Sequence, residues 1–189
     1  MLGIILAGGY SSRAKLNKLL LEVDGQPMIC RTIQTMRHFV DRLIAVTGRY
    51  HKELQPVLLK EGVEVAYNPK YEKGMFSSVL TGLNQVRDED IFLLPGDIPN
   101  VSMKTYEALL KEKGDVRIPT YEGKDGHPLF LSNHLVKEAR KQPLDSNMHQ
   151  FLDKYEDVKI RVKVDDPFIN VDVDTLEDYQ KLCSMIERK

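Results

Sequence analysis

Apolar runs and helical periods alternate along the chain. Leu2 to Ala7 is almost continuously apolar and ends at Gly8-Gly9, the pattern of a parallel strand buried on both faces. After Pro27, the residues Met28, Ile29, Ile33, Met36, Phe39 and Val40 recur at helical spacing, and proline suits a first helical turn. Arg42 to Thr47 predicts a second strand, and Val63 to Tyr67 a third that Asn68-Pro69 stops. Met75, Val79, Leu83 and Val86 mark another helical stripe. Asp90 to Leu94 reads as a further buried strand, broken by Pro95-Gly96. Ser102 is the expected N-cap of a helix running to Lys113. Leu129 to Leu131 and Lys159 to Val164 predict two more strands, the second alternating as a half-exposed strand does. A last helix starts near Asp174, where Asp174-Thr175-Leu176-Glu177 resembles a capping box with Asp174 as the cap.

Strand, helix, strand, helix over the first 110 or so residues argues for an α/β fold with a mostly parallel sheet flanked by helices. The segment from Gly114 to Phe168 is less regular and reads as a small added β lobe or an extension of the sheet. Ligands in such sheets bind outside the carboxyl ends of the strands. The loops after Ala7, Tyr67 and Leu94 are therefore the ones to search.

Composition narrows the chemistry. Of 189 residues, 27 are Lys or Arg and 28 are Asp or Glu, for a net charge of −1. That leaves no basic face for a nucleic acid partner. A polyphosphate ligand would need a divalent cation to supply part of its counter-charge. No apolar run reaches the ~20 residues of a membrane span, and Met1 to Ala7 lacks the basic leader of a signal peptide. The two cysteines, Cys30 and Cys183, are far apart and in no metal spacing, which fits the reducing cytoplasm.

Five features suited to anions crowd the first loop. Gly8-Gly9 bare their N–H groups, Ser11 and Ser12 add hydroxyls, and Arg13 and Lys18 add fixed charge. The pattern is neither of the common Gly-rich phosphate or dinucleotide fingerprints. In the second loop, Gly74 precedes a helix whose first turn carries Ser77 and Ser78, a polar ligand site or simply capping hydroxyls. The third, Gly96-Asp97-Ile98-Pro99, holds a carboxylate directly after a buried strand, where Mg²⁺ could be bound. His127, between Gly126 and Pro128, is the one histidine in a rigid loop. His38, His51, His134 and His149 lie in helical stretches and read as fillers. Asp172 and Asp174 lie two residues apart on one face of an extended segment. With Asp174 taken as the helix cap, Asp172 is left to face a ligand.

Taken together, these motifs resemble a known family. Leu6-Ala7-Gly8-Gly9-x-Ser11-x-Arg13-x4-Lys18-Leu19-Leu20, Gly96-Asp97-Ile98-Pro99 and Asp172-Val173-Asp174-Thr175 are similar to the nucleotidyltransferases of glycosyltransferase-A-type fold. Asn68-Pro69, Gly74-Met75-x-Ser77-Ser78 and Gly126-His127-Pro128 narrow the likeness to the molybdenum cofactor cytidylyltransferases and their guanylyltransferase relatives. The resemblance implies a Rossmann-like sheet of the nucleotide-diphospho-sugar transferase type, with residues 1–189 as one nucleotidyltransferase domain. It implies nucleotide contacts from Leu6, Ala7, Gly8, Gly9, Ser11, Arg13, Lys18, Asn68, Ser77, Ser78 and Gly96, with Arg13, Lys18 and Asp97 catalytic. Asp97 and Asp172 would hold Mg²⁺, and His127 would meet the acceptor. Two positions depart from the family. Lys15 stands where a glycine is usual, and Gly8 is the guanylyl version of a position that is Ala in cytidylyl enzymes.

The expected reaction moves a nucleoside monophosphate from CTP, or GTP, onto a phosphate monoester. The resemblance makes that acceptor molybdopterin and the downstream partner a molybdoenzyme or its chaperone. The alternatives are a sugar-1-phosphate nucleotidyltransferase and a non-catalytic module that binds nucleotide or cofactor for delivery.

Overall fold

In the computed structural model, residues 1–9 and 17–187 are described. The apolar run at the start forms β1 (Leu2–Ala7), and the short hairpin β2 (Glu22–Val23) and β3 (Gln26–Pro27) leads into α1 (Met28–Met36). Then follow β4 (Arg42–Thr47), α2 (His51–Lys60), β5 (Glu64–Tyr67), α3 (Met75–Leu83) and β6 (Ile91–Pro95). The second half contributes α4 (Met103–Lys111), β7 (Val116–Tyr121), β8 (Lys124–Asp125) and β9 (Leu129–Leu131). It closes with α5 (Asn133–Ala139), α6 (Met148–Asp153), β10 (Lys159–Lys163) and α7 (Leu176–Glu187).

One central sheet has the order β10-β7-β9-β6-β1-β4-β5, with β8 paired to β7. β1 lies parallel to both β4 and β6, and β5 and β10 also pair in parallel with their neighbours. β9 alone along this order runs antiparallel, between β6 and β7. The less regular segment therefore extends the main sheet, the second of its two expected forms.

Alternation along each strand divides the apolar residues between two cores. Ile5, Ala45, Phe92 and Leu94 pack against α1, α2 and α4 on one face, where Ile33, Leu54 and Tyr106 are fully buried. Leu2, Ile4, Ile44 and Leu93 face α3, α5 and α6 on the other, against Val79, Val136 and Phe151. A parallel strand covered on both faces has no polar side, which is why β1 reads as an unbroken apolar run. Among the described residues, no helix is long and apolar enough to cross a membrane.

Ser102 caps α4 as expected, its side chain accepting from Thr105 N. The start of α7 differs from expectation. Thr175 Oγ1 accepts from Asp178 N at 3.2 Å, and Asp178 Oδ2 accepts from Thr175 N at 2.9 Å. That reciprocal pair is the capping box, one residue later than the expected one. Asp174 is thereby free of the cap.

Candidate active site

The carboxyl ends of β1, β4 and β6 lie side by side, because these three strands are parallel neighbours. The turn after β1 begins with Gly8. A Cβ there would lie 2.6 Å from Ser78 Oγ, so any larger residue at this position must push the Ser78 hydroxyl aside. Ser78 in turn is held from behind. The buried Asn68 side chain donates through Nδ2 to Ser77 Oγ at 2.8 Å and to Ser78 Oγ at 3.0 Å. Its Oδ1 accepts from Lys70 N at 2.9 Å. Ser77 Oγ lies 2.7 Å from Gly74 O and 2.9 Å from Lys70 O, either of which can accept its proton.

On the other side of the turn stands Lys18, at the start of a short 3₁₀ turn, Lys18–Leu20. Its Nζ lies 2.7 Å from Asp97 Oδ2 and 2.7 Å from Asp174 Oδ1. Burial works against the Lys18 ammonium, but the charge of Asp97 and the hydrogen bond to Asp174 outweigh it and raise its pKa above the ordinary lysine value. Asp97 follows β6, and its backbone oxygen accepts from Val173 N at 3.1 Å. That bond joins two loops 76 positions apart in the chain. Val173 is fully buried, so the period of two turns Asp172 and Asp174 together to the other side. Burial raises the Asp172 pKa above the usual carboxylate value, the charges of Asp174 and Asp97 add to this, and Lys18 opposes them.

Asp97, Asp172 and Asp174 thus crowd around one ammonium. Like charges this close are costly without a cation. Among the described residues, no three His, Cys, Asp or Glu side chains form a metal cage by themselves. Mg²⁺ needs only one or two protein carboxylates when substrate phosphates complete its shell, and this donor set fits that demand.

Two cavities meet at Leu6, Met75, Pro95 and Asp97. The smaller, about 60 Å³, brings together Ala7, Gly8, Gly9, Lys18, Ser78 and Asp97. The larger, about 550 Å³, has an apolar wall of Phe76, Val79, Leu93 and Leu129 and a polar end with Asp125, Asn147, Lys159 and Asn170. His127, Asp172 and Asp174 also line it. Gly126 sits so close to the Ile169 and Asn170 backbone and side chains that a Cβ would come within 2.7 Å of three of their atoms. His127 N donates to Ile169 O at 2.9 Å. Its Nδ1 is shielded from water and has no hydrogen-bond partner among the described residues. Burial pushes the imidazole pKa down to about 4, against the charge of Asp97, so the ring is neutral near pH 7.

Most expected residues converge here. Gly96 forms the turn itself, its N–H donating to Leu6 O at 2.9 Å. Asn68 and Ser77 stand behind the wall of the smaller cavity. Ser11 and Arg13 lie outside the described residues. Asp174, His149 and Tyr50 are among the lining residues that the sequence did not point to. Asp174 is not spent on the helix cap, which Thr175 and Asp178 form instead. His149 reads as a filler in the sequence but lines the larger cavity. Tyr50, from the loop after β4, lines the smaller one. That loop lies at the carboxyl end of a parallel strand, and the rule that selected the other three loops applies to it equally.

Comparison with known proteins gives the family and the fold. Residues 3–158 match the MobA-like NTP transferase domain. The chain is 29% identical over 181 residues to the molybdenum cofactor cytidylyltransferase of Escherichia coli K12, covering 93% of this chain and 92% of that one. It is 27% identical over 191 residues to a probable molybdenum cofactor guanylyltransferase of Bacillus cereus AH187, covering 94% and 92%. Among solved structures, the manganese complex of Rv0371c from Mycobacterium tuberculosis H37Rv superposes with a TM-score of 0.81 over 97% of each chain, at 22% identity. At that identity the likeness is one of fold.

Proposed function

The chain belongs to the MobA-like NTP transferase domain family, and we propose that it transfers CMP from CTP to the phosphate of molybdopterin, releasing pyrophosphate. The observation that carries this reading is the convergence of Lys18, Asp97, Asp172 and the bare Gly8-Gly9 turn at the junction of two cavities. The smaller cavity suits a phosphate group, and the larger one beside it has room for a ring-bearing ligand.

In this reading an oxygen of the acceptor phosphate attacks the α-phosphorus of CTP. The bond to the bridging oxygen of the β-phosphate breaks, and pyrophosphate leaves. No covalent enzyme intermediate is needed, so the protein contributes positioning and charge. The N–H groups of Gly8-Gly9 and the Lys18 ammonium orient the triphosphate, with Arg13 assigned to the same task. Asp97 and Asp172 would hold Mg²⁺, which supplies positive charge to the phosphates when bound. Manganese in the complex of a structural relative supports a divalent metal here. Neutral His127 contacts the acceptor rather than carrying its proton, because a phosphate nucleophile is already ionised at pH 7.

CTP is favoured over GTP by the match to a cytidylyltransferase over 92% of that relative's length at 29% identity. Pure nucleotide binding is disfavoured, since a binder has no use for a second carboxylate beside Asp97. Free Cys30 and Cys183 fit a cytoplasmic enzyme serving a molybdoenzyme. The test is pyrophosphate release with a panel of acceptors. Release with molybdopterin and none with sugar 1-phosphates supports the reading. Release with sugar 1-phosphates alone replaces it with the sugar nucleotidyltransferase alternative.

A further inference from the structure

Lys18 makes two ion pairs of equal length, 2.7 Å, to carboxylates from two different loops. The three partners are not equally shielded. The Lys18 and Asp97 side chains are 16% and 23% exposed, and Asp174 is 62% exposed. An exposed carboxylate holds an ammonium only weakly, so Asp174 is the partner that releases easily. A lysine ammonium is a compact point charge on a flexible stem. It offers Asp97 what a small metal ion would offer, positive charge at oxygen distance.

The ammonium and a dication compete for this place. Both seek the same carboxylate, and they repel each other when they share it. A triphosphate changes the balance. Its oxygens give Lys18 a stronger anionic partner than one exposed carboxylate, and the stem can swing because it has four rotatable carbons. Lys18 also lines the smaller cavity beside Gly8 and Gly9, so the phosphate position assigned above lies within its reach.

We propose that Lys18 is an internal stand-in for the divalent cation: it bridges Asp97 and Asp174 in the nucleotide-free protein and exchanges onto the triphosphate, so that metal enters with the nucleotide and not before it. This rests on the nucleotidyltransferase reading above. Asp174 is then a positioning residue, acting through Lys18. The exchange spares the empty site an unneutralised carboxylate cluster, and it couples metal affinity to nucleotide occupancy.

The test is titration of MnCl₂ into the full chain, followed by calorimetry, with wild type and Lys18→Met. Without nucleotide, Lys18→Met binds Mn²⁺ tighter than wild type by about 5- to 150-fold, the usual span of coupling between two ligands. With a CTP analogue that cannot be cleaved between its α- and β-phosphates, the order reverses, because the variant lacks the phosphate contact. Lys18→Gln repeats both arms if Lys18→Met does not fold. Equal or weaker Mn²⁺ binding by the nucleotide-free variants overturns the exchange and leaves the proposed function standing. Wild type that takes up no Mn²⁺ even together with the analogue overturns both.

Discussion

Two polar clusters flank the turn after β1, and they are built on opposite terms. Asn68, Ser77 and Ser78 are neutral and at most 3% exposed. Both amide hydrogens of Asn68 are engaged, and its oxygen is engaged too. Lys18, Asp97 and Asp174 are charged and open to the cleft at the Asp174 end. A saturated neutral network has one arrangement, since any change strands a buried donor or acceptor. A charged network with an exposed member can trade partners. The first fixes the shape of the cavity wall, and the second can exchange its partners. The two differ in what a single substitution should break.

The largest effect is expected in the charged cluster. Asp97→Asn should lower kcat by about 100-fold or more, the loss of one electrostatic contact at the reacting phosphates, while thermal unfolding shifts little. Asp172→Asn should behave alike. The double variant should be far from additive, because either change disables the same metal position. Additive losses in steady-state kinetics would mean that the two carboxylates work separately.

The neutral cluster should fail in the other way. Asn68→Ala leaves Ser77 and Ser78 without a buried donor and Lys70 N without an acceptor. It should cost about 1–3 kcal/mol of stability, read from urea unfolding at constant slope. A variant as stable as wild type but inactive would move Asn68 from the wall into direct nucleotide contact.

Gly8 links the two clusters. Gly8→Ala should raise the CTP KM by about tenfold, in the range of a modest packing clash, because the new methyl meets Ser78 Oγ. Ser78→Ala added to it should restore much of the affinity, since the clashing atom is then gone. No rescue would show that the Gly8 backbone itself, not its contact with Ser78, is what the nucleotide needs.

The smallest effect concerns His127. Its pKa in the folded chain is lowered by burial from 6.5 to about 4. The unfolded chain therefore binds more protons within that window, and stability falls as pH drops from about 6.5 towards 4. Above that window the contribution is complete. His127→Gln should flatten this part of the stability curve and raise the acceptor KM more than the CTP KM. A CTP KM that rises alone would place His127 at the nucleotide.

Much of the fold could be read from the chain because parallel strands covered on both faces leave a strong local pattern. Arg42 to Thr47 and Leu129 to Leu131 are strands at the expected residues. The direction of β9 was not legible. Three apolar residues look the same whichever way they run, and their direction is set by pairing with β6 and β7 far off in sequence. At the site, glycines and charged residues stood out because apolar strands end at them. Asp174 was misread by one residue of register: Asp174 to Glu177 and Thr175 to Asp178 both have capping spacing, and only the backbone decides between them. Asn68 was legible as a turn residue, but its hold on Ser77 and Ser78 depends on how β5 and α3 pack.

Pyrophosphate release measures directly whether these clusters serve nucleotidyl transfer. Wild-type protein with Mg²⁺ and each of the four triphosphates, with and without molybdopterin, should release pyrophosphate from CTP only when molybdopterin is present. Tight triphosphate binding with no pyrophosphate released from any of the four would contradict it.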